Sequence, residues 1–244
     1  MSVDPIDMTL FEEDWQMSQF WYDVPTRRAL AEEISFKDFG FRTYPVSTPT
    51  AGLGEEQKQK FEEINVAIVS APSAFVQFLS MQRAGEIPPH VRPTLLEYDT
   101  RFSVLCPPFH EAPDGQPQIH GPRFIPYDFN NPLQLPPTLQ GKFDSVLVDP
   151  PFLSAECQAG AAVTVRWLLK PGGKDDPGYP QGRGRRVVVC TGERVSTLCE
   201  RLYEKEGVRE TDWAVVHERG LGNEFRCLAS WERGGRWRWV GSSA

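Results

Sequence analysis

Phe143-Asp144-Ser145-Val146-Leu147-Val148-Asp149-Pro150-Pro151-Phe152 is the stretch on which the fold turns. Its first six residues are mainly apolar and β-branched, the pattern of a strand buried in a parallel sheet. Two consecutive prolines cannot continue the ladder, so the strand ends at Asp149. A carboxylate, two rigid carbonyls and an aromatic ring are thereby delivered to the carboxyl edge of a sheet, where open α/β folds place their ligands. Ser154 is ready to cap a helix over 154–169, which Pro171-Gly172-Gly173 closes. A tight turn after a core strand would use Asp and Pro in the same way. The chemistry of the four residues also suits an amine nucleophile. The acid and a proline carbonyl accept hydrogen bonds from its N–H groups and aim the lone pair, while the ring tolerates positive charge beside it.

The same grammar extends in both directions. Asn65-Val66-Ala67-Ile68-Val69 is the first buried strand, turning at Ser70-Ala71-Pro72-Ser73 into a helix with Phe75, Val76, Phe78 and Leu79 on its apolar face and Gly85 as its stop. A second strand over 94–98 ends in the acids Glu97 and Asp99, and a short strand over 124–126 runs into Tyr127-Asp128-Phe129-Asn130-Asn131-Pro132. After the Asp149 strand come Arg186-Val187-Val188-Val189-Cys190, a helix over 193–206, and strands near 213–217 and 224–231. Upstream, Asp23 caps a helix that runs to about residue 34, followed by a connector at 40–54 and a short charged helix near 55–62. Strands alternating with helices and ending in a hairpin-like pair predict an α/β, Rossmann-like, doubly wound sheet with antiparallel edge strands, the middle layer of a three-layer sandwich. One domain spans 1–244: an aromatic segment and connector over 1–60, and a sheet core over 61–244 with Pro/Gly-rich insertions near 106–122 and 171–185.

Composition narrows the partners. A net charge of −7 is the wrong sign for gripping duplex DNA, which calls for a basic surface, and it favours a basic protein partner. No apolar run approaches the ~20 residues of a membrane span. Asp4, Asp7, Glu12, Glu13 and Asp14 make the N-terminus unlike a secretory signal, so no membrane association and a cytoplasmic location are expected. Cys106, Cys157, Cys190, Cys199 and Cys227 are odd in number and lack metal-ligand spacing, as do His90, His110, His120 and His217. Buried free thiols and no metal are therefore expected. Arg183, Arg185 and Arg186 read as a solvated loop patch, and the tail 231–239 as an extra edge strand or a partner-contact strip.

Glu97 ends the second strand, where proteins of this architecture hydrogen-bond ribose hydroxyls; Asp99 is the second choice. Asp128 follows the third strand and is placed to accept from an adenine amino group. The turn at 70–73 lacks the usual glycines, yet its small side chains and the helix N-terminus behind it can face a carboxylate.

Taken together, Trp15-Gln16-Met17-Ser18-Gln19-Phe20-Trp21-Tyr22, Val69-Ser70-Ala71-Pro72-Ser73, Leu96-Glu97-Tyr98-Asp99, Tyr127-Asp128-Phe129-Asn130-Asn131-Pro132, Asp149-Pro150-Pro151-Phe152 and Asn223-Glu224-Phe225-Arg226-Cys227 strongly resemble the elongation factor 1-alpha lysine methyltransferases. That family was first described as N6-adenine DNA methyltransferases because of its Asp-Pro-Pro-aromatic motif. The resemblance covers about residues 12–231. It implies a seven-stranded methyltransferase fold, S-adenosylmethionine as cofactor, and methylation of one elongation factor lysine up to the trimethyl state. It further implies that the N-terminal aromatic segment lies over the cofactor. Trp15, Gln16, Ser18, Gln19 and Trp21 thus join Ser70, Ala71, Pro72, Ser73, Glu97, Tyr98, Asp128, Phe129 and Asp149 as candidate cofactor-binding residues. Asp149, Pro150, Pro151 and Phe152 are the candidate catalytic residues. A hydrophobic arm packed on the sheet would explain any single member of the aromatic segment. Two other functions remain as alternatives: adenine-N6 methylation of nucleic acid, which would use the same four residues on a flipped base, and an inactive cofactor-binding scaffold, against which the intact Asp149–Phe152 motif counts.

Overall fold

In the computed structural model, residues 8–36, 63–106, 121–172, 185–222 and 224–242 are described in full, and 43–45 and 59–61 as backbone. Strands β1 (Thr43–Pro45) and β2 (Gln59–Phe61) form a small antiparallel ribbon. The charged helix expected near 55–62 is therefore corrected to a strand over 59–61, because Gln59, Lys60 and Phe61 find ladder partners in Pro45, Tyr44 and Thr43. The rest of that expected helix lies outside the described residues, as do most of the connector and the two insertions.

The main sheet combines β3 (Ile64–Val69), β4 (Val91–Glu97), β5 (Arg123–Pro126), β6 (Ser145–Val148) and β7 (Arg186–Gly192), all parallel, with β8 (Arg209–Ala214) and β9 (Phe225–Ala229), of which β9 lies between β7 and β8 and is antiparallel to both. Its order is β5-β4-β3-β6-β7-β9-β8, the reversal falling between β3 and β6. The central strands are buried on both faces, and their side chains alternate between two cores with period two. Val66, Ile68, Val188 and Cys190 join α1 (Val24–Ile34), α2 (Pro72–Arg83) and Trp237 of the tail. Ala67, Val69, Val187 and Val189 meet α3 (Ala155–Leu168) and α4 (Ser196–Leu202) on the opposite face. Helix, sheet and helix make the three layers that the alternating pattern implies. Asp23 caps α1 by accepting from Thr26 N at 2.8 Å, and Ser154 caps α3 by accepting from Cys157 N at 3.2 Å, both as the sequence indicates.

Three expectations change. The strand near 213–217 is displaced to Arg209–Ala214, a charged edge strand of the kind that resists edge-to-edge pairing. Val216 and His217 turn away to the N-terminal arm, where His217 bridges Tyr22. The helix over 193–206 is α4 flanked by two 3-10 turns, closed by Gly207 at φ 73°. Arg186 is no loop residue. It begins β7 nearly buried, its guanidinium 4.2 Å from the Phe36 ring and 4.6 Å from the Trp231 ring, and it donates to Glu33 O at 2.6 Å. Arg185 donates to Lys170 O at 3.0 Å, and Arg183 lies outside the described residues. Isolated bridges tie the tail down at Arg233–Trp237 and Thr211–Trp239, which fixes it against the edge of the sheet without adding a regular strand.

Candidate active site

The sheet order sets the site. Glu97 ends β4, Ser70 follows β3 and Asp149 follows β6, so the three stand side by side across the reversal point of the sheet. Ser70 adopts a left-handed conformation, φ 54°, a place where glycine is normally used. The turn thus reaches the glycine geometry without the glycine. Behind it, Ala71 is the N-cap of α2 with no side-chain hydrogen bond and Pro72 opens the helix, leaving the first backbone N–H groups to the cavity.

A cavity of about 470 Å³ lies over this edge, within the usual range for small-molecule sites. Its wall includes Gln16, Ser18, Gln19 and Trp21 of the N-terminal arm, Ser70 to Ser73, Glu97, Tyr98, Asp128, Phe129, and all four residues from Asp149 to Phe152. Trp15 is the one site candidate left outside. It is 61% exposed and stacks edge-on against Phe20 at 5.3 Å, because the 3-10 turn Trp15–Met17 presents Gln16 and Met17 to the cavity instead.

The arm is held down at several points. Phe11 stacks on Phe102 at 4.4 Å, Trp21 Nε1 donates to Phe11 O at 3.2 Å, and Asp14 caps the 3-10 turn by accepting from Gln16 N at 2.9 Å. Asp99 anchors it from below, accepting from Gln19 Nε2 at 3.1 Å and from Arg101 Nε at 2.8 Å. Burial raises the Asp99 pKa, but the Arg101 hydrogen bonds outweigh it and hold the group below the ordinary carboxylate value. Asp99 is thus committed to the arm, and of these two acids Glu97 is the one in the cavity wall. Glu97 is 6% exposed and accepts from Asp99 N at 3.1 Å. Burial lifts its pKa to about 7, against the opposing pull of backbone N–H groups.

Asp128 stands on a loop clamped to α3. Tyr127 Oη and Thr164 Oγ1 lie 3.0 Å apart, Thr164 donates to Pro132 O at 2.8 Å, and a Cβ on Gly160 would stand 2.6 Å from Phe129 O, so only glycine lets the loop this close. Both Asp128 oxygens accept within the loop, from Asn130 N at 2.9 Å and Asn131 Nδ2 at 3.1 Å. The Asn130 N–H is the main reason its pKa is lowered.

Asp149 lies at the cavity floor. Burial pushes its pKa up to about 7 and the nearby Glu97 adds to the rise, while a hydrogen bond from the Tyr22 hydroxyl opposes it. Burial and Asp149 together raise the Tyr22 pKa, so Tyr22 stays protonated and donates. Phe152 is 42% exposed, its ring edge-on to Phe129 at 5.6 Å. His217 also lines the cavity, 7% exposed, its pKa lowered to about 4 by burial, hence a neutral imidazole. Among the described residues nothing hydrogen-bonds its ring nitrogens.

A donor set of this kind fits an adenosyl ligand that carries an amino acid. The buried Glu97 carboxyl can accept from hydroxyl donors, and a helix N-terminus without a side-chain cap can face a carboxylate. No group of three or more His, Cys, Asp or Glu is placed to hold a metal among the described residues, and no described helix is long and apolar enough to cross a membrane. Cys157, Cys190, Cys199 and Cys227 are buried free thiols.

With that geometry in place, comparison with known proteins is decisive. The family model described as probable N6-adenine methyltransferase matches residues 13–111 and 113–233. The protein-lysine N-methyltransferase EFM5 of Saccharomyces cerevisiae is 35% identical over 92% of this chain and 75% of its own. The EEF1A lysine methyltransferase 1 of Gallus gallus is 34% identical over 91% of this chain and 78% of its own. The chain belongs to this lysine methyltransferase family. Among solved structures, the methyltransferase subunit of a type I restriction-modification system from Streptococcus thermophilus is similar over 86% of this chain and 44% of that chain, at 15% identity and a TM-score of 0.47.

Tyr22, His217 and Phe225 were not among the site candidates read from the sequence of this family member. Tyr22 and Phe225 do fall inside quoted motif runs. All three line the cavity, and their place in its wall depends on the bridge between Tyr22 and His217, nearly two hundred residues apart, which no local pattern reports.

Proposed function

We propose that this chain methylates the side-chain amine of a protein lysine with S-adenosylmethionine as donor, and that elongation factor 1-alpha is the substrate. The observation that carries the reading is Asp149: a carboxyl at the cavity floor, hydrogen-bonded by Tyr22, between an acid-lined end suited to the cofactor and an aromatic end suited to an amine. The names of the relatives, which include EEF1A lysine methyltransferases, support the choice of substrate.

When bound, S-adenosylmethionine supplies a methyl group on a positively charged sulfur. Glu97 would hold the ribose hydroxyls and the Asp128 loop the adenine, while the N-terminus of α2 would face the amino-acid carboxylate. The lysine arrives protonated and must lose a proton before it can attack. Asp149, with its pKa near 7, is a better acceptor than an ordinary carboxylate, and its oxygen then orients an N–H of the neutral amine. Phe152 covers the developing ammonium. Proximity and exclusion of water carry the remaining catalysis. A net charge of −7 steers the enzyme toward a basic surface, an attraction that salt weakens.

Incubation with labelled S-adenosylmethionine and, in parallel, purified elongation factor 1-alpha and duplex DNA tests this directly. Label on a lysine of the factor is expected. Label on adenine would replace the reading with base methylation, and label on neither would leave a cofactor-binding scaffold.

A further inference from the structure

Past Asp149 the cavity changes character. Phe20, Tyr22, His217 and Phe225 bound it there, the imidazole centroid 4.5 Å from the Phe225 ring, 5.1 Å from Tyr22 and 6.5 Å from Phe20. Phe225 opens β9 opposite Gly192 at the end of β7, so this chamber lies on the far side of Asp149 from Glu97. Two strand spacings of ~4.8 Å separate β6 from β9 and two separate β6 from β4, which leaves room for two different ligands to meet at Asp149. The rings of the chamber are uncharged. Two carboxyls border it: Asp23, which acts electrostatically on His217, and Asp149, one of whose oxygens is already occupied by Tyr22.

Resting on the lysine reading above, a chemical difficulty points to the role of the chamber. A neutral primary amine offers Asp149 two N–H bonds, a monomethylamine one, and a dimethylamine none. The hold of Asp149 on the acceptor therefore fades with each methyl added. Attraction between an ammonium and aromatic faces needs no N–H and persists through every methylation state. We propose that Phe20, Tyr22, His217 and Phe225 form the acceptor chamber that holds the partly methylated lysine, and that they determine how many methyl groups it receives.

Each transfer balances in the same way. The nitrogen lone pair forms a bond to the methyl carbon, and the carbon–sulfur bond breaks with its electron pair going to sulfur. After the first and second transfers the nitrogen emerges as an ammonium whose N–H proton passes to the Asp149 carboxylate and on to solvent before the next round, a loss that desolvation among the rings favours. The third transfer leaves a quaternary ammonium with no proton to lose.

The test compares Phe20→Leu, Phe225→Leu and Asp149→Asn with wild type on purified elongation factor 1-alpha, using mass spectrometry to resolve mono-, di- and trimethyl-lysine over time. Binding of S-adenosylhomocysteine by calorimetry confirms that each variant is folded. In the chamber variants the rates of the later transfers should fall at least tenfold further than the first, so that mono- and dimethyl-lysine accumulate. Asp149→Asn should show the reverse order, with the first transfer suffering most. Equal loss at every step in the chamber variants would overturn the chamber while leaving lysine methylation intact. No methyl-lysine from wild type would overturn both. An independent readout is tryptophan fluorescence of wild type titrated with butyltrimethylammonium and with butylammonium. The trimethyl probe should bind at least as tightly and lose at least tenfold in affinity in Phe225→Leu, whereas a probe that binds both proteins equally lies outside the chamber and contradicts the assignment.

Discussion

The two ends of the cavity differ in their chemistry. Over β4 and β5 the wall is polar and hydrogen-bonded: Glu97 is buried against the Asp99 N–H, Asp99 is locked by Gln19 and Arg101, and Asp128 is tied into its own loop. Over β7 and β9 the wall is aromatic and neutral, with His217 kept uncharged among Phe20, Tyr22 and Phe225. Directional hydrogen bonds suit a ligand of fixed shape and fixed donors. An aromatic box suits a cation whose N–H count changes during the reaction. Asp149 stands where the two meet, and this explains why a single carboxyl is linked electrostatically to Glu97 on one side and by a hydrogen bond to Tyr22 on the other.

The strongest way to break this division is at the junction. Asp149→Ala should lower turnover on unmodified lysine by about 10²-fold or more, the usual cost of losing an orienting contact in a near-attack geometry. Its affinity for S-adenosylhomocysteine should stay within a few-fold of wild type. A joint loss of both would make Asp149 a cofactor residue.

Tyr22→Phe comes next. Turnover should fall about tenfold, as expected for a hydrogen bond to a charged group worth ~1.5 kcal/mol. The lost bond lowered the Asp149 pKa, so the acid limb of kcat/KM should move to higher pH in the variant. An unmoved limb would show that another group controls it.

Glu97 sharpens the polar end through stability. Its carboxyl has a pKa of about 7 in the fold against 4.5 in the unfolded chain, so the folded apo protein binds the extra proton. The associated stability is present below pH 4.5 and is lost as pH rises through about 7. Glu97→Gln should therefore be more stable than wild type at pH 8 by ~1–2 kcal/mol, melting at a higher temperature, and match it near pH 4.5. Equal melting at both pH values would mean that the Glu97 charge costs the apo fold nothing.

The smallest effect belongs to the turn between the two ends. Ser70→Gly removes the strain of a left-handed serine and should raise stability by at most ~1 kcal/mol, a few degrees in a thermal melt. A drop would mean that the Ser70 side chain contributes a contact stronger than the strain.

What the sequence makes legible follows from how local each cause is. β3, β6 and β7 announce themselves because burial on both faces forces uninterrupted apolar runs, and the acids Glu97 and Asp149 stand out because each ends such a run. β8 does not, because an edge strand carrying Arg209, Glu210 and Asp212 has the composition of a loop. Arg186 reads as solvated until Phe36 and Trp231 close on it from distant parts of the chain. The polar half of the site was readable for the first reason, and the aromatic half was hidden for the second. Phe225 and His217 begin and precede β9, yet they become wall residues only when the N-terminal arm lays Phe20 and Tyr22 across them.

The division itself is most directly tested by calorimetric titration of S-adenosylhomocysteine into Glu97→Ala and Phe225→Ala side by side with wild type. Glu97→Ala should weaken binding at least tenfold, in keeping with ~1.5–3 kcal/mol for a buried hydrogen-bonded acid, and Phe225→Ala should stay within about threefold of wild type. Comparable losses in the two variants would mean that one ligand fills the whole cavity, and the separate acceptor end would not exist.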